Sequence, residues 1–178
     1  RVEGVTFKYL TGTVVPIEDR EWAESMPMEH LPTCFGCGAD NPHRLGIKPW
    51  VDGDKIVAEL VFEPRFEGGP GLVHGGATGA FFDDLIGFVA MAHQKPAVTG
   101  NLHVDYLSPI PIGVTVRGEA WLTGVQGRKL YTEAAGYLPD GTPCVEVRSL
   151  FIQVGIEHFQ QVLGDDARSP YQSDEYYP

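Results

Sequence analysis

Apolar and polar positions change their period along the chain, and the changes mark the elements. Lys55 to Phe62 alternates well enough to predict a strand, and a Gly-rich turn, Glu67 to Gly71, follows it. From Gly75 to about His93 the chain holds an apolar run without proline, which predicts one long buried helix. Four strands are predicted after Pro96: Val98 to Leu107, Val114 to Thr123, Leu130 to Leu138 and Cys144 to Val154. In the second of these, Val114, Val116, Ala120 and Leu122 alternate with Thr115, Arg117, Glu119 and Thr123, as a half-buried strand requires. Asp140-Gly141 is a hairpin signal between the last two. Ahead of this region, Trp22 to Met28 reads as a short helix, and Pro32 to Pro49 as turns and loop. The division is therefore a leader over 1–50, a domain over 51–159 and an acidic tail over 160–178, without internal repeats. A strand, a long helix and four strands joined by short turns predict an α+β fold, an antiparallel sheet wrapped around one central helix. That helix is apolar on most of its circumference, so a partner subunit or the leader must cover what one sheet cannot.

A helical wheel sharpens the helix. At 100° per residue, Gly76, Gly79, Asp83, Gly87 and Ala90 share one narrow face, so a carboxylate sits in a stripe of the smallest side chains. Each interior helical glycine costs about 1 kcal/mol relative to alanine, which points to a ligand or a second backbone packed closely there. Asp84 points about 100° away, between Ala80 and Phe88, and is the less suitable catalyst. At the start of the helix, Gly75 and Gly76 let another group approach the backbone, and the unpaired first-turn amides could polarise a carbonyl and hold its oxyanion. His74 would fix this turn through its ring or take part in catalysis beside it. Asp83 lies seven residues beyond Gly76, roughly 10 Å along the axis, whereas proton transfer needs contact at about 3 Å. The two groups can serve one substrate only if the carboxylate comes from a second, roughly antiparallel copy of the helix, as in a two-fold dimer.

Composition narrows the partners. With 13 Lys and Arg against 24 Asp and Glu the formal net charge is −11, which disfavours nucleic acid; an anionic ligand would need a local basic patch. Arg128 and Lys129, in a turn, are such a patch. No apolar run reaches the roughly 18 to 20 residues that span a bilayer, and Arg1 to Leu10 lacks the apolar core of a signal peptide, so a cytoplasmic protein without membrane contact is expected. Three cysteines predict no disulfide framework. Cys34, Cys37 and His43 have the look of zinc ligands, but the remaining cysteine, Cys144, is far along the chain, so no metal is expected.

Taken in order, Cys34-Phe35-Gly36-Cys37-Gly38, Asn41-Pro42-His43, Leu45-Gly46, Gly69 to Gly76 with its His-Gly-Gly, Asp83 nine residues after His74, Asp105 to Pro109 and Gly127-Arg128-Lys129 resemble the hotdog-fold thioesterase superfamily, in particular its phenylacetic-acid-pathway (PaaI-like) branch. The resemblance covers roughly residues 34–155. It implies a helix enclosed by an antiparallel sheet, edge-to-edge homodimers that often pair again, and hydrolysis of an acyl-coenzyme A thioester without a further cofactor. It implies a site made of the Gly76 region of one subunit and Asp83 of the other, with Asp83 as general base or nucleophile and the hydroxyl of Thr99 orienting the water or the carboxylate. On the residues themselves, Arg128 and Lys129 would either form a solvated turn or meet coenzyme A phosphates, and Phe82, like Phe81 and Phe88, would either line an acyl tunnel or fill core. One departure stands out: a subgroup places Asn or Gln six residues before the His of His-Gly-Gly, and that position here is Gly68. Enoyl-CoA hydration would need a His beside Asp83 on its face, which is lacking. A non-catalytic acyl-CoA sensor on the same fold remains the alternative of another class.

Overall fold

The structure is a computed structural model that describes residues 10–27, 29–155 and 157–158; the tail over 160–178 lies outside the described residues. In chain order the elements are α1 (Arg20–Ser25), β1 (Trp50–Asp52), β2 (Lys55–Val61), a 3-10 turn (Pro64–Phe66), α2 (Gly75–Ala92), β3 (Ala97–Tyr106), β4 (Thr115–Gln126), β5 (Lys129–Tyr137) and β6 (Pro143–Gln153). All strand pairs are antiparallel, in the order β1-β2-β4-β5-β6-β3, and one helix, α2, lies across the sheet. The α+β architecture is the one the hydrophobic period predicts, with boundaries shifted by up to three residues. Strand β1 and the 3-10 turn are additions, each three residues long and too short to carry a period. None of the described helices is long and apolar enough to cross a membrane.

The core lies between the helix and the concave face of the sheet. Phe81, Phe82, Leu85, Ile86 and Phe88 are fully buried, and Phe62, Ile56, Leu122 and Leu130 close over them from the strands. Phe82 comes so near β5 that a Cβ on Gly136 would stand 2.7 Å from its ring. Truncating such a ring to alanine costs about 3 to 5 kcal/mol.

The leader covers part of the remaining helix surface, as the all-round apolar character of α2 demands. Asp19 caps α1 by accepting from the Trp22 amide, and the Trp22 indole N–H donates to the Met91 carbonyl at 2.9 Å, near the end of α2. Ala23 and Met26 are buried behind it, and the Val15 amide joins the Leu122 carbonyl at 2.8 Å. The stretch 32–49 forms turns, as its Gly, Pro and Cys content predicts. The opposite side of the sheet ends in β3, an edge strand ten residues long.

Candidate active site

Helix α2 starts at Gly75 because His74 caps it. His74 has extended backbone (φ −63°, ψ 132°), and its Nδ1 accepts from the Gly76 amide at 2.9 Å. This bond occupies the very amide that the sequence singles out as a carbonyl donor. The free donors of the first turn are its neighbours: the Gly75 and Ala77 amides have no hydrogen-bond partner among the described residues. On the other side of the turn the Tyr106 hydroxyl donates to the Gly75 carbonyl at 2.8 Å and braces the helix end against β3. Beside it lies a cavity of about 280 Å³ lined by Leu72, Val73, Thr78, Tyr106, Leu107 and Ile110, among others.

Gly68, where a subgroup of relatives carries an amide side chain, packs on the capping histidine. A Cβ there would stand 2.8 Å from the His74 Cα, so this loop geometry admits only glycine. Polarisation of a carbonyl at this end of the helix therefore falls to backbone amides or to a side chain other than that of residue 68.

Further along α2, the first part of the small-residue stripe is the side that the sheet leaves open: Gly76 is exposed and Gly79 and Asp83 are half-buried, whereas Gly87 meets the His30 ring and Ala90 is buried. Asp83 stands on this open stripe, and the Thr99 hydroxyl donates to its Oδ1 at 2.8 Å. Thr99 reaches it from β3 at a bulge, where the pairing with β6 shifts between Thr99 and Asn101. The bond leaves the second carboxylate oxygen of Asp83 for another partner. Asp83 with Thr99 and Gly75 with Tyr106 thus stand as two separate pairs on one helix and one strand, roughly 12 Å apart along the helix axis.

The remaining candidates divide. Arg128 and Lys129 are exposed at the β4–β5 turn, and neither forms an ion pair among the described residues. Lys129 is in register with Ile152, which pairs with Val98, so this turn lies at the Thr99 end of the sheet. Phe82 needs correction. It is fully buried against Gly136 and Phe81 and does not line the cavity, because the helix turns it into the sheet rather than toward the open stripe.

Asp84, the neighbouring carboxylate, faces a different environment. The leader folds His30, Cys34 and Cys37 onto it, with His30 Nδ1 and Cys34 Sγ at 3.0 and 3.3 Å from Asp84 Oδ1. His43, the histidine that the C-x-x-C spacing suggests, is exposed and outside this group. Burial pushes the Asp84 carboxyl up, against the pull of His30. Burial disfavours a charged His30 too, yet its hydrogen bonds to Asp84 and Cys34 raise it to about 9. Between the thiols, the hydrogen bond from Cys37 makes Cys34 much the more acidic, and the same bond together with burial pushes Cys37 up.

Comparison with known proteins agrees with this architecture. The profile of the thioesterase superfamily matches residues 70–145, the stretch from the Gly-rich turn through α2 to the start of β6. Acyl-coenzyme A thioesterase THEM4 of Xenopus laevis is 34% identical over 92 residues, which is 51% of this chain and 41% of the relative. The chain thus spans under half the length of that relative. Among solved structures, a thioesterase superfamily protein, RHA08564, superimposes with a TM-score of 0.66 at 25% identity over 68% of this chain and 61% of its own. The E. coli PaaI protein from the phenylacetic acid degradation operon shares the fold, with a TM-score of 0.59 at 18% identity over 62% of this chain and 81% of its own. The antiparallel sheet around one long helix is the hotdog fold of these thioesterase-superfamily neighbours.

Two features of the domain are invisible to sequence pattern. Tyr106 stands in a stretch that carries the resemblance, but only the fold reveals that its hydroxyl grips the helix end 31 residues away. His30 is a lone histidine in a loop, and the sole hint of it is Gly87: a Cβ there would stand 2.8 Å from the His30 ring.

Proposed function

We propose that the protein hydrolyses an acyl-coenzyme A thioester to the free acid and coenzyme A, at sites shared between two subunits. One observation carries this reading: Asp83 is held by the Thr99 hydroxyl on an open face made of the smallest residues. The likeness to acyl-coenzyme A thioesterases supports the substrate class.

Asp83 acts as general base or as nucleophile. As a base it takes a proton from a water; the resulting hydroxide adds to the thioester carbonyl, whose developing oxyanion is met by the free amides of the first turn of α2. Collapse of the tetrahedral species breaks the C–S bond and releases coenzyme A, whose sulfur takes up the proton. The cavity beside Gly75 receives the acyl end. Arg128 and Lys129 meet the anionic end of coenzyme A within an otherwise acidic protein. Three free cysteines suit a reducing compartment, and we place the protein in the cytoplasm.

Edge strand β3 supports the shared site. A long unprotected edge is a template for pairing. Thr99, beside Asp83, and Tyr106, beside Gly75, lie toward opposite ends of β3. A two-fold axis through β3 reverses the strand, so the Thr99 end of one copy approaches the Tyr106 end of the other. Each carboxylate then faces the helix start of its partner.

Turnover of a panel of acyl-coenzyme A substrates tests the activity; binding without hydrolysis would leave a sensor. Subunit mixing tests the sharing. The two variants are Asp83→Asn and Gly75→Pro; the latter removes a free amide at a helix position that proline tolerates. Each should be inactive alone. A heterodimer collects both lesions in one site and regains roughly half of the parent activity, since one of its two sites stays intact. Verified heterodimers that stay inactive would reject the shared site.

A further inference from the structure

We infer that His30, Cys34, Cys37 and Asp84 form a structural zinc site, which closes the leader onto helix α2 at the residue next to Asp83. One ligand atom from each residue lies within 4.8 Å of all the others. Four of the six separations are 3.0 Å from His30 Nδ1 to Asp84 Oδ1, 3.3 Å from Cys34 Sγ to Asp84 Oδ1, 3.5 Å from Cys37 Sγ to His30 Nδ1 and 4.0 Å from Cys37 Sγ to Asp84 Oδ1. Bonds of about 2.3 Å to sulfur and about 2.0 to 2.2 Å to nitrogen and oxygen, set at tetrahedral angles, put ligand atoms roughly 3.4 to 3.8 Å apart. These four separations stand within about half an ångström of that spacing, and none of the six exceeds 4.8 Å.

The surroundings are built for it. Asp84 is a carboxylate whose side chain is 10% exposed, and its Oδ2 is buried without a hydrogen-bond partner. Such a group is expensive to bury uncompensated. The chain comes so close that a Cβ on Gly36 would fall 2.2 Å from the Asp84 carboxyl carbon, so only glycine lets the Cys34–Cys37 turn seat there. Within the turn the Cys34 carbonyl accepts from the Gly38 amide at 3.1 Å, and the His30 amide points at the Cys37 sulfur at 3.2 Å, a donor suited to a thiolate. The His30 ring is clamped between Phe88, at 4.0 Å between ring centres, and Gly87. All of this fixes side-chain direction before an ion arrives.

Ligand type selects the ion. Two thiolates, an imidazole and one carboxylate oxygen in a tetrahedral arrangement favour zinc over magnesium or calcium. Four protein ligands leave no position for water, so the ion is structural. It would replace protons among four groups that otherwise must share them, and binding would release protons. This inference is independent of the proposed hydrolysis, and its test reads metal rather than turnover.

The chain without an affinity tag, reduced and stripped with chelator, is titrated with Co2+ and then Zn2+. One Co2+ per chain is expected, with thiolate-to-cobalt charge-transfer absorption, the intense visible bands of a tetrahedral ion, and displacement by one Zn2+. Cys34→Ser and Asp84→Asn should each weaken zinc binding by at least about 100-fold. Cys144→Ser, which alters a buried thiol on β6 outside the group, should bind like the parent. Should a variant fail to fold, the parent chain decides alone: no stoichiometric uptake, or cobalt bands of an octahedral ion, overturns the site. Undiminished binding by a folded Cys34→Ser variant overturns it as well.

Discussion

Asp83 and Asp84 are consecutive residues on one helix, and they live in opposite conditions. Asp83 faces the open small-residue stripe, where one hydroxyl holds one of its oxygens. Asp84 is turned by 100° into a closed pocket made by His30, Cys34 and Cys37. The first arrangement leaves a carboxylate oxygen within reach of a substrate. The second leaves nothing within reach, and its contacts bind the leader to the domain. Chemical identity therefore says little about role here; the angle on the helix and what packs against it say nearly everything.

Substitutions at the two carboxylates should have opposite consequences. Asp83→Asn should lower kcat by about 10²- to 10⁴-fold, roughly 3 to 5 kcal/mol of barrier, and leave the thermal midpoint in place. A near-normal kcat would remove Asp83 from the chemistry. Asp84→Ala should do the reverse. Its partners lose a buried charge, which costs about 3 kcal/mol and lowers the melting midpoint by roughly 6 to 12 °C for a chain of this size, while folded protein keeps most of its kcat. A large loss of kcat without loss of stability would mean that the two faces are not separate.

Smaller changes sharpen the picture of the open face. Thr99→Val keeps the shape and removes the donor to Asp83. A charge-assisted hydrogen bond is worth about 1.5 kcal/mol, so kcat should fall roughly tenfold with KM nearly unchanged. An unaltered kcat would make the hydroxyl purely structural. Tyr106→Phe should have the smallest effect. It releases the Gly75 carbonyl from one exposed hydrogen bond, about 0.5 to 1 kcal/mol, and should lower kcat/KM only a few-fold by loosening the helix start. An effect as large as that of Asp83→Asn would give Tyr106 a direct part in the reaction.

What could be read without coordinates was what is local in sequence. A helix places residues seven apart on one face whatever surrounds it, so the small-residue stripe, its carboxylate and the roughly 10 Å between that carboxylate and the helix start follow from spacing alone. Strands announce themselves by alternation, and the Asp140-Gly141 turn by the positive φ that its glycine adopts, +83°. With the family resemblance added, Thr99 could be named as well, and its hydroxyl does meet Asp83. Contacts closed over long loops were not legible. His30 and Cys34 meet Asp84 across 54 and 50 residues, and Tyr106 meets Gly75 across 31, because independent segments dock on one helix. The loop histidine that reaches Asp84 is His30 and not His43, which only the path of the leader over α2 decides. Even within three residues the fold had the last word. The Gly76 amide, a free donor in any bare helix, is taken by His74 because the loop before it turns that ring inward over Gly68. Periodicity is a property of the chain, which the sequence carries in full. Convergence is a property of the packed whole, since each contact exists only when every element between its partners has found its place.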